Sequence, residues 1–376
     1  MIYLDANATE PLRPEARAAV LSALDQGGNP SSVHQAGRAA RKVLEEARER
    51  VAEFANARPS DVIFCAGATE ADALAVHAFG ANRPILVGAT EHAAIRAAAP
   101  CAITIPVRAN GQADMVALER LLVVHPDALV CLMAANNETG VLHDIEIAGK
   151  LCSNAGALLH VDAAQAIGRA NQNWLALGAA SLAISGHKFG APVGAGALIT
   201  RPGLDIQPLI KGGGQELGRR GGTSALPAIA GMAVAIGAAY PSEQIATWRD
   251  EIEAFCCAHG ALAIGATAPR LPNTTCLALP GVRAETQLIA LDMAGICVSA
   301  GSACSSGKVA ASHVLLAMGL EQLADQAIRV SLPWNAEASM VQKFQSAYAN
   351  MASRLAKRDS IGLTTADHCK DPICLK

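Results

Sequence analysis

Between about residues 60 and 240 the chain alternates short apolar runs with stretches patterned for helix, and this alternation restricts the fold more than any other feature. The runs are Val62 to Cys65, Ile85 to Val87, Ala128 to Met133, Leu158 to Val161 and Leu182 to Ser185; helical stretches such as Asp114 to Val124 and Ile145 to Asn154 separate them. Strand, helix, strand repeated in this way predicts an α/β fold with a mostly parallel sheet covered on both faces. In such sheets ligands collect at the carboxyl ends of the strands, so the residues just after each run are the ones to examine. Arg38 to Phe54, charged with periodic Ala, Val and Leu, predicts a long surface helix. From Pro241 the texture changes to helix Glu243 to His259, strand Thr275 to Leu279, helix Glu285 to Ala294, strands Ile296 to Ser299 and Ile328 to Leu332, and a last helix near Ala336 to Arg354. That reads as a smaller α+β domain, and 376 residues at ~150 per domain also predict two.

Hydrophobic residues make up 51% and charged residues 17%, enough for a sizeable core. Runs such as Ala128 to Ala135 fall far short of the ~20 residues that span a bilayer, and Met1 to Asp5 lacks the pattern of a signal peptide. A soluble cytoplasmic protein without a membrane partner is expected. A net charge of -3 gives no support to nucleic acid as a partner and leaves a small molecule or another protein. The 11 cysteines are scattered, with no C-x-x-C pair and no zinc spacing, so most read as buried thiols in a reducing compartment and no stable metal site is expected. Cys369 and Cys374 lie in a polar tail that reads as a frayed end.

Four strand ends carry chemistry. Ser181 to Gly196 places Lys188 just after a run, in a Gly-rich turn, one of 9 lysines among 30 basic residues. Burial near positive groups lowers a lysine's pKa, and the neutral amine can form a Schiff base with an aldehyde. Leu158 to Gln165 puts Asp162 at the end of a buried strand, where a carboxylate calls for a cationic partner such as a protonated pyridinium nitrogen. Cys65-Ala-Gly67-Ala68-Thr69-Glu70 joins a strand to a helix start through a Gly turn, a place suited to phosphate. Thr90-Glu91-His92 offers an imidazole able to lie over a ring or move protons. Taken singly, each admits a plainer reading: a surface lysine, an Asp or Thr helix cap, a structural histidine.

Together with Asn136-Asn137-Glu138-x-Gly140-Val, Gly212-Gly-Gly-Gln-Glu-x-Gly-x-Arg220-x-Gly-Thr223 and Ser299-Ala-Gly-Ser-Ala-Cys304, these segments stand in the order and spacing of cysteine desulfurases. The chain resembles the NifS/IscS type, which are fold-type I pyridoxal 5′-phosphate (PLP) enzymes of the class V aminotransferase family, from Leu4-Asp5-Ala-Asn-Ala-Thr9 to about Leu332. The resemblance implies a large domain with a seven-stranded sheet at 15–245, and a small domain made of 1–14 and 246–376 that carries a catalytic cysteine loop. It implies Lys188 as the Schiff-base lysine, Asp162 as the pyridinium partner, Gln165 as donor to the ring oxygen and His92 as the stacked imidazole and acid/base. Ala68, Thr69, Ser185 and His187 would hold the phosphate, Thr223 would reach it from a second subunit of a homodimer, and Asn137 and Arg329 would hold the L-cysteine substrate.

Cys304 would accept sulfur as a persulfide, leaving L-alanine and passing sulfur to an iron–sulfur scaffold protein, nitrogenase maturation included, or to another acceptor. A cluster shared transiently with a scaffold would be its only iron. Its surroundings, Ser302 to Lys308, are small and polar with a lysine that favours thiolate, and the 9 residues between Cys304 and Val314 resemble the longer loop of the NifS/IscS type. Leu217, Asp72-Ala73 and Pro333-Trp334 depart from the family pattern without touching a proposed catalytic group. The rival readings are another fold-type I PLP enzyme, such as a selenocysteine or cysteine sulfinate lyase or an aminotransferase, and a PLP-fold protein turned binding scaffold.

Overall fold

The computed structural model describes residues 1–170, 173–303 and 309–362, the side chains of 302, 303, 309 and 356–362 excepted. β1 (Ile2–Tyr3) opens the chain and α1 (Pro14–Gln26) and α2 (Gln35–Ala55) follow. Then come β2 (Val62–Cys65), α3 (Ala68–Gly80), β3 (Ile85–Gly88), α4 (Ala93–Ala98), β4 (Ile103–Ile105), α5 (Met115–Val124), β5 (Leu129–Met133), α6 (Ile145–Ala155), β6 (Leu158–Asp162), β7 (Ser181–Ser185) and β8 (Gly196–Thr200). These seven strands form one sheet in the order β2-β8-β7-β6-β5-β3-β4. All are parallel except β8, which runs against both neighbours. The reason lies in the connection: Gly186 to Ala195 is too short for the helical crossover that a parallel neighbour needs. β4 and β8 escape the sequence pattern because one is three residues long and the other is flanked by glycine-rich turns.

Helices cover both faces, which is why β5, β6 and β7 are buried at every position and read as unbroken apolar runs. α2, α5, α6 and α7 (Leu226–Ala235) pack one face around Val130, Val161 and Leu182, while α3 packs the other around Ile63, Cys131 and Ala183. α2 buries Ala40, Leu44, Ala47 and Val51 along one stripe, so its length reflects docking more than exposure.

α8 (Ser242–Ala258), β9 (Leu262–Ile264), β10 (Thr274–Ala278), α9 (Ala284–Met293), β11 (Ile296–Cys297), β12 (Ser299–Ala300), β13 (Ser302–Ala303), β14 (Val309–Ala310), α10 (His313–Ala317), β15 (Ala327–Ser331) and α11 (Ala338–Gly362) complete the chain. A second, antiparallel sheet runs β12-β15-β10-β9. Its core joins Leu277, Ile328 and Val330 to Ile252, Leu291, Phe344 and Tyr348. The single strand expected at Ile296 to Ser299 is two, because Ile296 and Cys297 pair with β1 while Ser299 and Ala300 pair with β15. The first residues of the chain therefore pack with the second sheet: β1 and β11 form a two-stranded sheet of their own, Asp5 bridges to Ser331 of β15, and Leu4 lies in the second sheet's core. Among the described residues no helix is long and apolar enough to cross a membrane.

Candidate active site

Because β2, β3, β5, β6 and β7 run in one direction, their carboxyl ends share one edge, and the residues that follow them converge there. Lys188 closes a single tight turn, Gly186 to Lys188, directly after β7. Its amine donates to the backbone carbonyls of Asn7 at 2.6 Å and Ala8 at 3.1 Å. Burial, reinforced by Arg329 and Arg169, lowers Lys188 from its ordinary 10.5 to about 8, against the pull of Asp162 and Asp5. The same burial, with Lys188 beside it, pushes His187 down to about 4, and its Nδ1 lies 3.1 Å from the Thr9 hydroxyl.

Asp162 ends β6 almost wholly buried, accepting the Ala164 N–H at 2.9 Å. Burial and then the charge of Asp72 raise its carboxyl to about 7, partly offset by that N–H and by His92 and His160. Two residues earlier on the same face of β6, His160 sits at 2.8 Å from the Ser181 hydroxyl and 3.1 Å from Asp72, a fully buried set whose members the sequence showed only separately, His160 beside Asp162 and Asp72 as a departure from the family pattern. Burial raises the Asp72 carboxyl and pushes His160 down to about 4. Glu91 is likewise buried and raised, with Asp162 adding to the effect of burial. His92 caps α4, accepting the Ala94 N–H on Nδ1 at 3.2 Å, which leaves Nε2 to carry the proton of the neutral ring. Burial and the charges of Lys188 and His313 lower its pKa, against Asp162.

α3 begins at Ala68 with no side chain capping it: Thr69 is exposed and takes no cap role, while Glu70 reaches back to the Ala66 N–H at 2.7 Å. The turn before it is kept bare by two glycines. A Cβ on Gly196 would lie 2.6 Å from Gly67 Cα, and one on Gly67 would meet the Ser185 hydroxyl at 3.4 Å. A helix N-terminus without a side-chain cap, with the Ser185 hydroxyl beside it, is a donor set suited to a phosphate. Further out, Arg329 on β15 donates to the Asn137 carbonyl at 2.9 Å and to Asp5 at 2.6 Å. Two buried atoms there have no partner among the described residues, Arg329 Nε and Asn137 Oδ1, one donor and one acceptor. Gln165 donates Nε2 to the Asn7 carbonyl at 2.9 Å and accepts from Arg169 at 2.7 Å, which leaves its second N–H for another acceptor.

The structure thus gathers Lys188, Asp162, His92, Gln165, Ser185, His187, Ala68, Thr69, Asn137 and Arg329 along this edge. Thr223 is exposed, at the end of a loop pinned to its own chain by Arg220, whose guanidinium grips Glu70 at 2.7 and 3.2 Å. Cys304, Cys369 and Cys374 lie outside the described residues. Asn7, Asp5 and Arg169 are the residues that sequence reasoning passed over; Asn7 and Asp5 had one signal, the Leu4 to Thr9 motif, which carried no role of its own, and Arg169 had none. A cavity of about 490 Å³ opens elsewhere, between α2 and residues 213–219, and contains none of these groups.

Residues 2–344 match the family described as Aminotransferase class-V. A cysteine desulfurase of Cereibacter sphaeroides is 40% identical over 359 residues, covering 90% of this chain and 92% of its own. The chain belongs to the cysteine desulfurases of the class-V aminotransferase family. An X-ray structure of a NifS-like protein from Rickettsia africae superposes with a TM-score of 0.88 at 34% identity, over 94% of this chain and 99% of the other. SspA in complex with cysteine superposes at 0.78 with 28% identity, over 89% and 99%. The likeness extends through both sheets, so the enzyme shares the fold as well as the strand-end motifs.

Proposed function

We propose that this desulfurase holds PLP at the strand-end site and converts L-cysteine to L-alanine, transferring sulfur to Cys304. The observation that carries the reading is the pairing at this edge of an amine lowered to about 8, Lys188, with a buried carboxyl raised to about 7, Asp162. Burial penalises the charge of each group, and that penalty would be offset where a cationic ring nitrogen faces Asp162 and an aldehyde takes up the amine in its neutral form. The open N-terminus of α3, the bare Gly67 turn and the unpartnered Asn137 Oδ1 fit that group as well. When bound, PLP supplies an electron sink for the carbon next to the substrate carboxylate.

The protein's own residues do the rest. Ala68, Thr69, Ser185 and His187 would hold the phosphate, Gln165 would offer its remaining N–H to the ring oxygen, and His92 would lie over the ring. Arg329 binds the substrate carboxylate, with Nε already free of other partners. Lys188, whose pKa lies near neutrality, takes and returns the proton at the substrate carbon. The Cys304 thiolate attacks the substrate sulfur; the sulfur–sulfur bond forms as the carbon–sulfur bond breaks, and the bonding electrons and a proton end on the alanine carbon. The persulfide is then passed to an iron–sulfur scaffold or another acceptor.

A cytoplasmic homodimer divided at 15–245 against 1–14 and 246–376 accompanies this reading. It is supported by Leu209, Ile210 and Leu217, 44%, 44% and 77% exposed on the segment leading to Thr223, where a second subunit would cover them. The test is Cys304→Ser. The variant is expected to keep its cofactor colour and its spectral response to L-cysteine, and to release no alanine. The wild type is expected to gain about 32 Da on the Cys304 peptide. Alanine release at the wild-type rate from Cys304→Ser would return the reading to a simple lyase.

A further inference from the structure

Asn7, 1% exposed, makes seven hydrogen bonds and uses every donor and acceptor of its side chain. Its Nδ2 donates to Thr274 Oγ1 at 2.9 Å on the second sheet and to the Asn137 carbonyl at 3.2 Å after β5 of the first. Its Oδ1 accepts from Arg169 and from Asn273, each at 3.1 Å. Four ties from both sheets therefore fix one peptide, and the carbonyl of that peptide accepts Lys188 Nζ at 2.6 Å while the next carbonyl, of Ala8, accepts it at 3.1 Å. Gln165 occupies the second lone pair of the Asn7 carbonyl. A side chain that only filled space would not need all four of its hydrogen bonds directed at two sheets to fix one backbone carbonyl.

We infer that Asn7 is a positioning residue for Lys188, pinning the two carbonyls that orient the free amine. A neutral amine has two N–H bonds and one lone pair. When both N–H bonds are held by Asn7 and Ala8, the lone pair must take the remaining tetrahedral direction, away from the N-terminal segment. The amine that returns from the cofactor during turnover is thereby presented to the substrate in one orientation, ready to accept a proton. This rests on Lys188 being the cofactor lysine. It goes beyond that role by assigning the orientation of the amine to a segment about 180 residues earlier in the chain.

The direction of the effect follows from the same contacts. Carbonyl acceptors favour the charged amine, yet Lys188 is lowered overall, so burial outweighs them. Loosening the segment admits water and moves the amine back toward 10.5. Full-length cofactor-free wild type, Asn7→Ala and Thr274→Val are labelled with trinitrobenzenesulfonate across a pH range, and the Lys188 peptide is quantified by mass spectrometry. In Asn7→Ala the labelling midpoint is expected to rise by about one unit, roughly a tenfold loss of neutral amine near pH 7. With cofactor restored, kcat is expected to fall about tenfold while KM for cysteine stays within about twofold. Thr274→Val keeps the volume and removes one tie, so a smaller rise in the same direction is expected, and it carries the test if Asn7→Ala does not fold. An unmoved midpoint with lowered thermal stability overturns the inference and makes Asn7 a structural tie. Borohydride fixation of the cofactor on a residue other than Lys188 would instead overturn the cofactor reading, and the cofactor-free midpoints would still decide what Asn7 does to the amine.

Discussion

Replacing Lys188 by Met is expected to make the cofactor-free protein more stable at neutral pH while abolishing turnover. Lys188 has its pKa lowered from 10.5 to about 8, so folding at pH ~7 carries the cost of a buried ammonium. At 1.36 kcal/mol per unit that cost is at most about 3 kcal/mol, less for whatever solvent screens the amine. Met cannot donate to the Asn7 and Ala8 carbonyls; Asn7 keeps its bond from Gln165, so the lost contacts offset roughly 1 kcal/mol. A net gain of about 2 kcal/mol remains. Because the folded pKa is depressed, the penalty is fully present below about 8 and gone above 10.5, so the advantage of the variant should shrink across that window and vanish by about pH 11. Urea unfolding of both proteins without cofactor, at several pH values, measures the difference. A variant no more stable at pH ~7, or an advantage that persists unchanged above pH ~11, refutes the idea that Lys188 is held as a strained, deprotonation-prone amine.

Arg329→Lys keeps a positive charge near Asp5 but loses the planar fork, and KM for L-cysteine is expected to rise about tenfold or more in steady-state assays with cofactor content unchanged; an unchanged KM would remove Arg329 from substrate binding. Mixing Lys188→Ala with Thr223→Ala protomers should yield heterodimers with one intact site, read as about half the wild-type activity per dimer; activity no higher than either parent would argue that Thr223 serves its own subunit.

Much of the site could be read from the order of residues because a parallel sheet converts sequence position into spatial position. Lys188, Asp162, His92 and the Gly67 turn each follow a strand, and strands running one way bring those positions to one edge whatever lies between them. Composition and apolar runs carried the two-sheet architecture for the same reason. The hidden residues depend on contacts across the chain. Asn7 meets Thr274 267 positions later, and Asp5 meets Arg329 324 positions later, where no periodicity links them. The contact among Asp72, His160 and Ser181 was invisible for a related reason: His160 stands in the Asp162 strand and Asp72 departs from the family pattern, but nothing joins them until α3 packs against β6 and β7.

The sequence alone thus determined which side chains stand at the strand ends, since chain direction and strand spacing are local properties. Only the tertiary structure decided their charge. Asp162 rises to about 7 and Lys188 falls to about 8 because both sheets, the N-terminal segment and the neighbouring Asp72, Arg169 and Arg329 remove water and add like charge around them. Desolvation belongs to the packed volume and not to the order of residues, so the same Lys and Asp in an open loop would keep their ordinary pKa values and lose the reactivity that the site depends on.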